Sequence, residues 1–198
     1  SYRSLSLSFL IDASVGGSIF SNTNKTGKYT GVLANTLSGR DAEHGGLWYY
    51  TAAMGNNVRL PESPSYSVSS DGLYYAQVNG QSTRVYQDGI MVEGVTESGS
   101  KNEEVVSAEK YYHRIYSIAE ANVYDASYVK LREVALSYRL PRLWTQKLHL
   151  QEASVTLTGR NLWTIYKSVP NIDPESALTT GNAQGVEAYS LPTTRSFG

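Results

Sequence analysis

Three histidines, one acidic loop and several aromatic clusters are the side chains whose types could do chemistry here. His44, His113 and His149 lie far apart in unrelated sequence contexts. A nucleophile and its base must stand within hydrogen-bond reach of each other, and this spacing supplies no such pair. Solvated or core histidines are the better reading, so no catalytic residue and no enzyme activity are expected. The run Asn-Ile-Asp-Pro-Glu-Ser places Asn171, Asp173 and Glu175 at alternate positions in a loop. Their oxygens would suit calcium, but the run falls well short of a twelve-residue EF-hand loop. An Asp-Pro turn with solvated carboxylates is the favoured reading, and no metal or other cofactor is expected. The chain has no cysteine, which removes disulfide and thiolate chemistry.

The aromatic residues are the better candidates for contact with a ligand. There are 16 Tyr and 3 Trp against only 3 Phe, so most rings carry a polar tip suited to a wet boundary. Trp48, Tyr49 and Tyr50 form a run behind Gly45 and Gly46; Tyr74 with Tyr75 and Tyr111 with Tyr112 form pairs. A flat ring stacks on the C–H face of a sugar while polar neighbours read its hydroxyls. The competing reading for each ring is packing within its own loop or against a partner. Trp48 is the leading contact residue, because the two glycines would present it on an open turn.

Period-two patterning defines the elements that carry these loops. In residues 4–11, Leu5, Leu7, Phe9 and Ile11 share one face and Ser4, Ser6 and Ser8 the other. Gly16 and Gly17 then mark a bulge or a strand end. Over 128–140, Val134, Leu136, Tyr138 and Leu140 oppose Glu133, Ala135, Ser137 and Arg139, and Pro141 stops the strand. Over 153–166, Val155, Leu157, Trp163 and Ile165 oppose Thr156, Thr158, Arg160 and Thr164. Large apolar residues alternating with small polar ones suit a barrel wall between lipid and water. Trp144 at one end of this pair, with Trp163 and Tyr166 at the other, would fall at the aromatic girdles of such a wall; capping of a soluble sheet is the alternative. The segment 21–127 is long, Gly-rich and Tyr-rich. It reads as an elaborated loop region with a short helix near 26–38, a hairpin about the Asn-Gly of 77–81 and a helix over 105–119.

A net charge of −1 leaves no basic surplus for nucleic acid. No apolar run reaches the length of a membrane-spanning helix, a condition that strands of about 10 alternating residues escape.

The runs SLSFLIDASVGGSIFS, YDASYVKLREVALSYRLP, GRNLWTIYK, NIDPES and LPTTRSFG, in this order and at these separations, resemble the C-terminal region of the SusC/RagA-type TonB-dependent transporters of Bacteroidetes. The resemblance covers the first 20 residues and the chain from 124 onward; residues 45–110 carry little of it. It implies a mainly β fold, antiparallel strands from the C-terminal part of a 22-stranded transmembrane barrel with a plug. Residues 1–20 would be a barrel strand and 21–127 an extracellular loop region. Residues 128–166 would be an antiparallel strand pair with a periplasmic turn at 141–152, and 167–192 a second extracellular loop. Residues 193–198 would start a final strand that the family continues to an aromatic C-terminus, so this strand is expected to be truncated. The implied partners are the rest of the barrel and plug, a SusD-type lipoprotein, TonB through an N-terminal part absent here, outer-membrane lipid, and an oligosaccharide or peptide substrate. The implied location is the cell outer membrane. A soluble secreted glycan-binding β-domain is the alternative.

Overall fold

The computed structural model describes residues 4–147, 149–177 and 181–198. Along the chain run β1 (Leu5–Ser14), β2 (Ser18–Ser21), α1 (Asn22–Tyr29), β3 (Leu47–Thr51), β4 (Asn57–Arg59), β5 (Tyr66–Val68), β6 (Tyr74–Val78), β7 (Gln81–Met91), β8 (Val105–Ser107), α2 (Ala108–Ser117), β9 (Val123–Asp125), β10 (Tyr128–Arg139), α3 (Arg142–Lys147), β11 (Ser154–Lys167), β12 (Val186–Glu187) and β13 (Ser196–Phe197). The fold is mainly β, with antiparallel pairing throughout except where β12 runs parallel to β2. Two compact units divide the chain: residues 1–24 with 122–198, and residues 25–121.

The first unit is built on a sheet in the order β1-β10-β11-β13. β10 and β11 pair antiparallel across the connection from Pro141 to Ala153, with Leu136 opposite Leu157 and Tyr138 opposite Val155. The expected turn at 141–152 contains the short helix α3, which begins directly after Pro141. Among the described residues the sheet is open and does not close into a barrel. The first expected strand is shorter than 1–20. Gly16 and Gly17 both take left-handed backbone angles, ending β1, and β2 joins a separate small sheet with β9 and β12. Ile19, Val169, Ile172 and Ala177 form a buried cluster in this unit.

The second unit carries more regular structure than the loop reading anticipates. Its six strands form one sheet, β4-β3-β7-β6-β5 with β8 added to β7. The hairpin at Asn79-Gly80 is present: both residues have positive φ, 52° and 77°, as a tight two-residue turn requires. The first helix is displaced from its expected position, and the second lies within its expected span but is shorter. The first spans Asn22–Tyr29 instead of 26–38. The Ser21 hydroxyl accepts from the Asn24 amide at 3.0 Å and so starts the helix early, and only a 3-10 turn, Ala34–Leu37, follows. The second begins at Ala108 because Ser107 caps it, accepting from the Lys110 amide at 3.3 Å. The β-branched Val105 and Val106 extend the sheet opposite Met91 and Ile90.

Candidate functional site

The sheet β1-β10-β11 has two chemically opposed faces. Registered rows on one face are Leu5–Tyr138–Val155 and Leu7–Leu136–Leu157, followed by Phe9–Val134. These side chains are not covered: Leu7 is 66% exposed, Phe9 68%, Val155 62% and Leu157 62%. Burying such residues normally contributes about 1.5–3 kcal/mol each. A contiguous apolar surface of this kind therefore needs another phase or another chain against it. The opposite face carries Ser6–Ser137–Thr156 and Ser8–Ala135–Thr158, with Ser137 and Thr156 hydroxyls hydrogen-bonded at 2.8 Å. One level on, Arg160 Nε donates to Glu133 Oε2 at 2.9 Å. Among the described residues no helix is long and apolar enough to cross a membrane; that statement does not concern strands.

On the polar face, at the Tyr128 end of β10, lies a charge network. A register shift opposite Leu10 and Ile11 leaves Arg132 as an extra residue in β10. The bulge places Arg132 and Glu133 in succession on the polar face. Lys130 Nζ donates to Asp173 Oδ1 at 2.5 Å and to Glu175 Oε2 at 2.6 Å. Arg132 donates to Asp12 Oδ2 at 2.8 Å and to Glu175 Oε1, and the Tyr128 hydroxyl reaches both Asp12 and Glu175. The side chains of Lys130, Asp173 and Glu175 are only 5%, 9% and 11% exposed. The carboxylates of the NIDPES loop are thus not solvated, as an Asp-Pro turn would leave them. They are folded onto β10 and neutralised by its cations. Burial works to raise the Asp173 carboxyl, but hydrogen bonds from Lys130 and Thr193 outweigh it and hold the group below the usual carboxylate range. Asn171 turns elsewhere, donating to Asn24 Oδ1 at 2.8 Å.

A second buried carboxylate organises the same unit. Glu187 accepts from Ser21 Oγ at 2.9 Å, from Thr23 N and Oγ1 at 3.1 and 2.7 Å, and from Ser190 N at 3.1 Å. It sits at the N-terminus of α1, where the helix dipole favours negative charge. Burial pushes its carboxyl up, and these donors more than offset that, leaving it below its ordinary value.

The aromatic candidates are distributed through the sheet and helix of the second unit. Trp48 stands within strand β3, not on an open turn, and is 7% exposed. It packs with Ala76 and Val85, flanked by Tyr50 and Tyr74. Gly46, read as opening a turn, instead lets two backbones meet: a Cβ there would come within 2.0 Å of the Gln87 carbonyl oxygen. Tyr49 is buried, stacks on Tyr86 at 5.1 Å and donates to Asp88 at 3.1 Å; burial, then the Asp88 charge, pushes its phenol above the ordinary range. Tyr75 lies on β6 opposite Arg84. Tyr111 and Tyr112 meet edge to face at 5.1 Å, and the Tyr112 hydroxyl is within reach of the Asn35 and Ser38 carbonyls at 3.0 and 3.1 Å. The exposed ring of the Trp48 cluster is Tyr66, stacked on Trp48 at 5.1 Å, a residue the sequence pattern gave no reason to select. Trp48→Ala is therefore expected to act on stability, by about 3–5 kcal/mol as for other buried large-to-small changes. The measurement is abundance of the folded protein, which should fall.

The histidines remain separate. His44 Nδ1 contacts Asp41 at 2.8 Å, His113 stacks on Tyr29 at 4.1 Å, and His149 takes a left-handed backbone. Among the described residues no group of three or more His, Asp or Glu side chains is arranged to hold a metal.

No family model matches the chain. Over 86 residues, 40% of this chain, it is 34% identical to TonB-dependent receptor P3 of Formosa agariphila, and the match spans 8% of that protein's length. Over that segment the similarity supports a relationship to the TonB-dependent receptors.

Proposed function

We propose that this chain is part of the C-terminal barrel wall of a SusC/RagA-type TonB-dependent outer-membrane transporter, with β1, β10, β11 and β13 as consecutive wall strands. The observation that carries the reading is the sheet with one uncovered apolar face and one face of small polar and charged residues. β1, β10 and β11 have 10, 12 and 14 residues, enough for a tilted crossing of roughly 9–11. The short connection 140–153 is periplasmic, and residues 15–127 and 168–195 are extracellular, following the short-inside, long-outside habit of such barrels. In the whole protein, import of oligosaccharides or peptides is powered through TonB, and a SusD-type lipoprotein covers the extracellular side. A soluble glycan-binding domain fits less well, because it would leave the Leu7 and Leu157 face in water.

Cysteine scanning with a polarity-sensitive dye tests the reading without background from this cysteine-free chain. In the intact protein in outer membranes, labels at Val155 and Leu157 should report a lipid-like environment and labels at Thr156 and Thr158 an aqueous one. Water-like signals at the odd positions would sink the proposal.

A further inference from the structure

The pairing register of β13 on β11 is not set by the two devices that usually set it. A tight turn fixes register, but β11 and β13 are joined by the long connection 168–195. In-out alternation forbids a slip of one residue, since that would turn every side chain to the wrong face, but it tolerates a slip of two. The observed pairing sets Gly159 opposite Phe197 and Arg160 opposite Ser196.

We propose that Lys130 and Arg132 of β10 act through Asp173 and Asn161 as a register clamp on the segment that leads into β13. Two relays run side by side. In the first, Lys130 Nζ donates to Asp173 Oδ1 at 2.5 Å, while Asp173 Oδ2 accepts from Thr193 Oγ1 at 2.9 Å and from Thr193 N at 3.3 Å. In the second, Arg132 Nη1 donates to Asn161 Oδ1 at 3.2 Å, and Asn161 Nδ2 donates to the Thr194 carbonyl at 3.2 Å. Each relay begins on the strand that β13 does not touch and ends on the residues just before it. Asp173 divides its oxygens between the two tasks, one toward the wall and its own turn, where the Glu175 amide also donates at 3.1 Å, and one toward Thr193. Asn161 takes a left-handed backbone, φ 52°, which Asn adopts more readily than most residues. With Thr193 and Thr194 both anchored, Ser196 has one reachable partner on β11. Glu175, bound to Lys130 and Arg132, keeps the cations in place. The clamp rests on the sheet geometry and holds whether the apolar face meets lipid or another chain.

The test is disulfide trapping in the intact protein. Thr158 and Gly198 exchange backbone hydrogen bonds at 2.7 and 2.9 Å, so T158C with G198C reports the native register and T156C with G198C reports a two-residue slip. With the clamp intact only the first pair should cross-link. In a Lys130→Met, Asp173→Leu background, which removes both charges of that pair together, the slipped pair should rise by about tenfold relative to the native pair, the scale expected for loss of a charge-assisted bond. If that variant does not fold, Asn161→Ala with Thr193→Val keeps every ion pair, removes the Asn161 relay and the Thr193 hydroxyl bond, and leaves only the Thr193 amide on Asp173; it should also raise the slipped product. A folded variant of either kind that keeps the native cross-link alone overturns the clamp. A shifted register with unchanged dye signals at Leu157 confirms it independently of the transporter reading.

Discussion

Arginine at Leu7 is expected to cost about 2–4 kcal/mol in the intact protein if this face meets lipid as proposed, the scale measured for a cation at the lipid face near the bilayer midplane. Leu7 lies midway along β1, in a row with Leu136 and Leu157, and among the described residues its side chain is left exposed. In a soluble sheet the same change would sit in water at an exposed site and alter stability by less than about 0.5 kcal/mol. The two settings therefore differ in outcome by several-fold in free energy, which makes this substitution decisive. Ser6 provides the control. It is the adjacent residue on the opposite face, opposite Ser137, where arginine should be tolerated. The measurement is the fraction of protein recovered as a folded, membrane-inserted species, together with its denaturant midpoint. Leu7→Arg should reduce both and Ser6→Arg should not; Leu136→Arg should behave as Leu7→Arg does. Equal tolerance on the two faces would remove the basis for a lipid-facing wall.

How much of this could be read beforehand depended on whether a feature was local. Alternation in β1, β10 and β11 is a property of consecutive residues, and Pro141 and Asn79-Gly80 act within a few residues of their own positions. Those features were legible. Trp48 was misplaced because a Gly-Gly pair looks alike whether it opens a turn or lets two strands meet closely; only the contact of Gly46 with Gln87 distinguishes them. Beyond the hairpin at Asn79-Gly80, the sheet of residues 25–121 escaped notice because several of its strands are short, three residues each in β4, β5 and β8, too short to establish a period. The charge network was invisible as a network, since Lys130 meets Asp173 across 43 residues and Arg132 meets Asp12 across 120. One signal was nevertheless present. The polar face carries many Ser, Thr and Ala, and beside the Glu133–Arg160 pair it holds Lys130 and Arg132, two long cations with no acidic neighbour in β10 to match both. Cations on a face of small residues ask for carboxylates, and NIDPES supplies them.

Removing one member of that network should cost more than removing a matched pair. Lys130→Met would leave Asp173 buried without its cation, while Arg132 stays bonded to Asp12 and Glu175. Breaking a buried pair from one side typically costs about 3–5 kcal/mol, because the stranded charge has lost both water and partner. Replacing both sides with apolar residues of similar volume is often close to neutral, since the desolvation cost leaves with the charges. Lys130→Met with Asp173→Leu should therefore be substantially more stable than Lys130→Met alone, even though it carries one more substitution. Denaturant midpoints of the intact protein, compared for the two variants, measure this difference. The sign of the pH dependence follows from the same contacts. Asp173 titrates below its ordinary value when folded, so its contribution is complete above about pH 4 and is lost as pH falls through the lowered value. Lys130→Met should weaken that acid dependence, because the partner that holds the carboxyl ionised has gone. Should the single and double variants unfold at the same midpoint, the ion pair would contribute no coupling, and the sheet would be holding its loop by packing around Val169 and Ile172 instead.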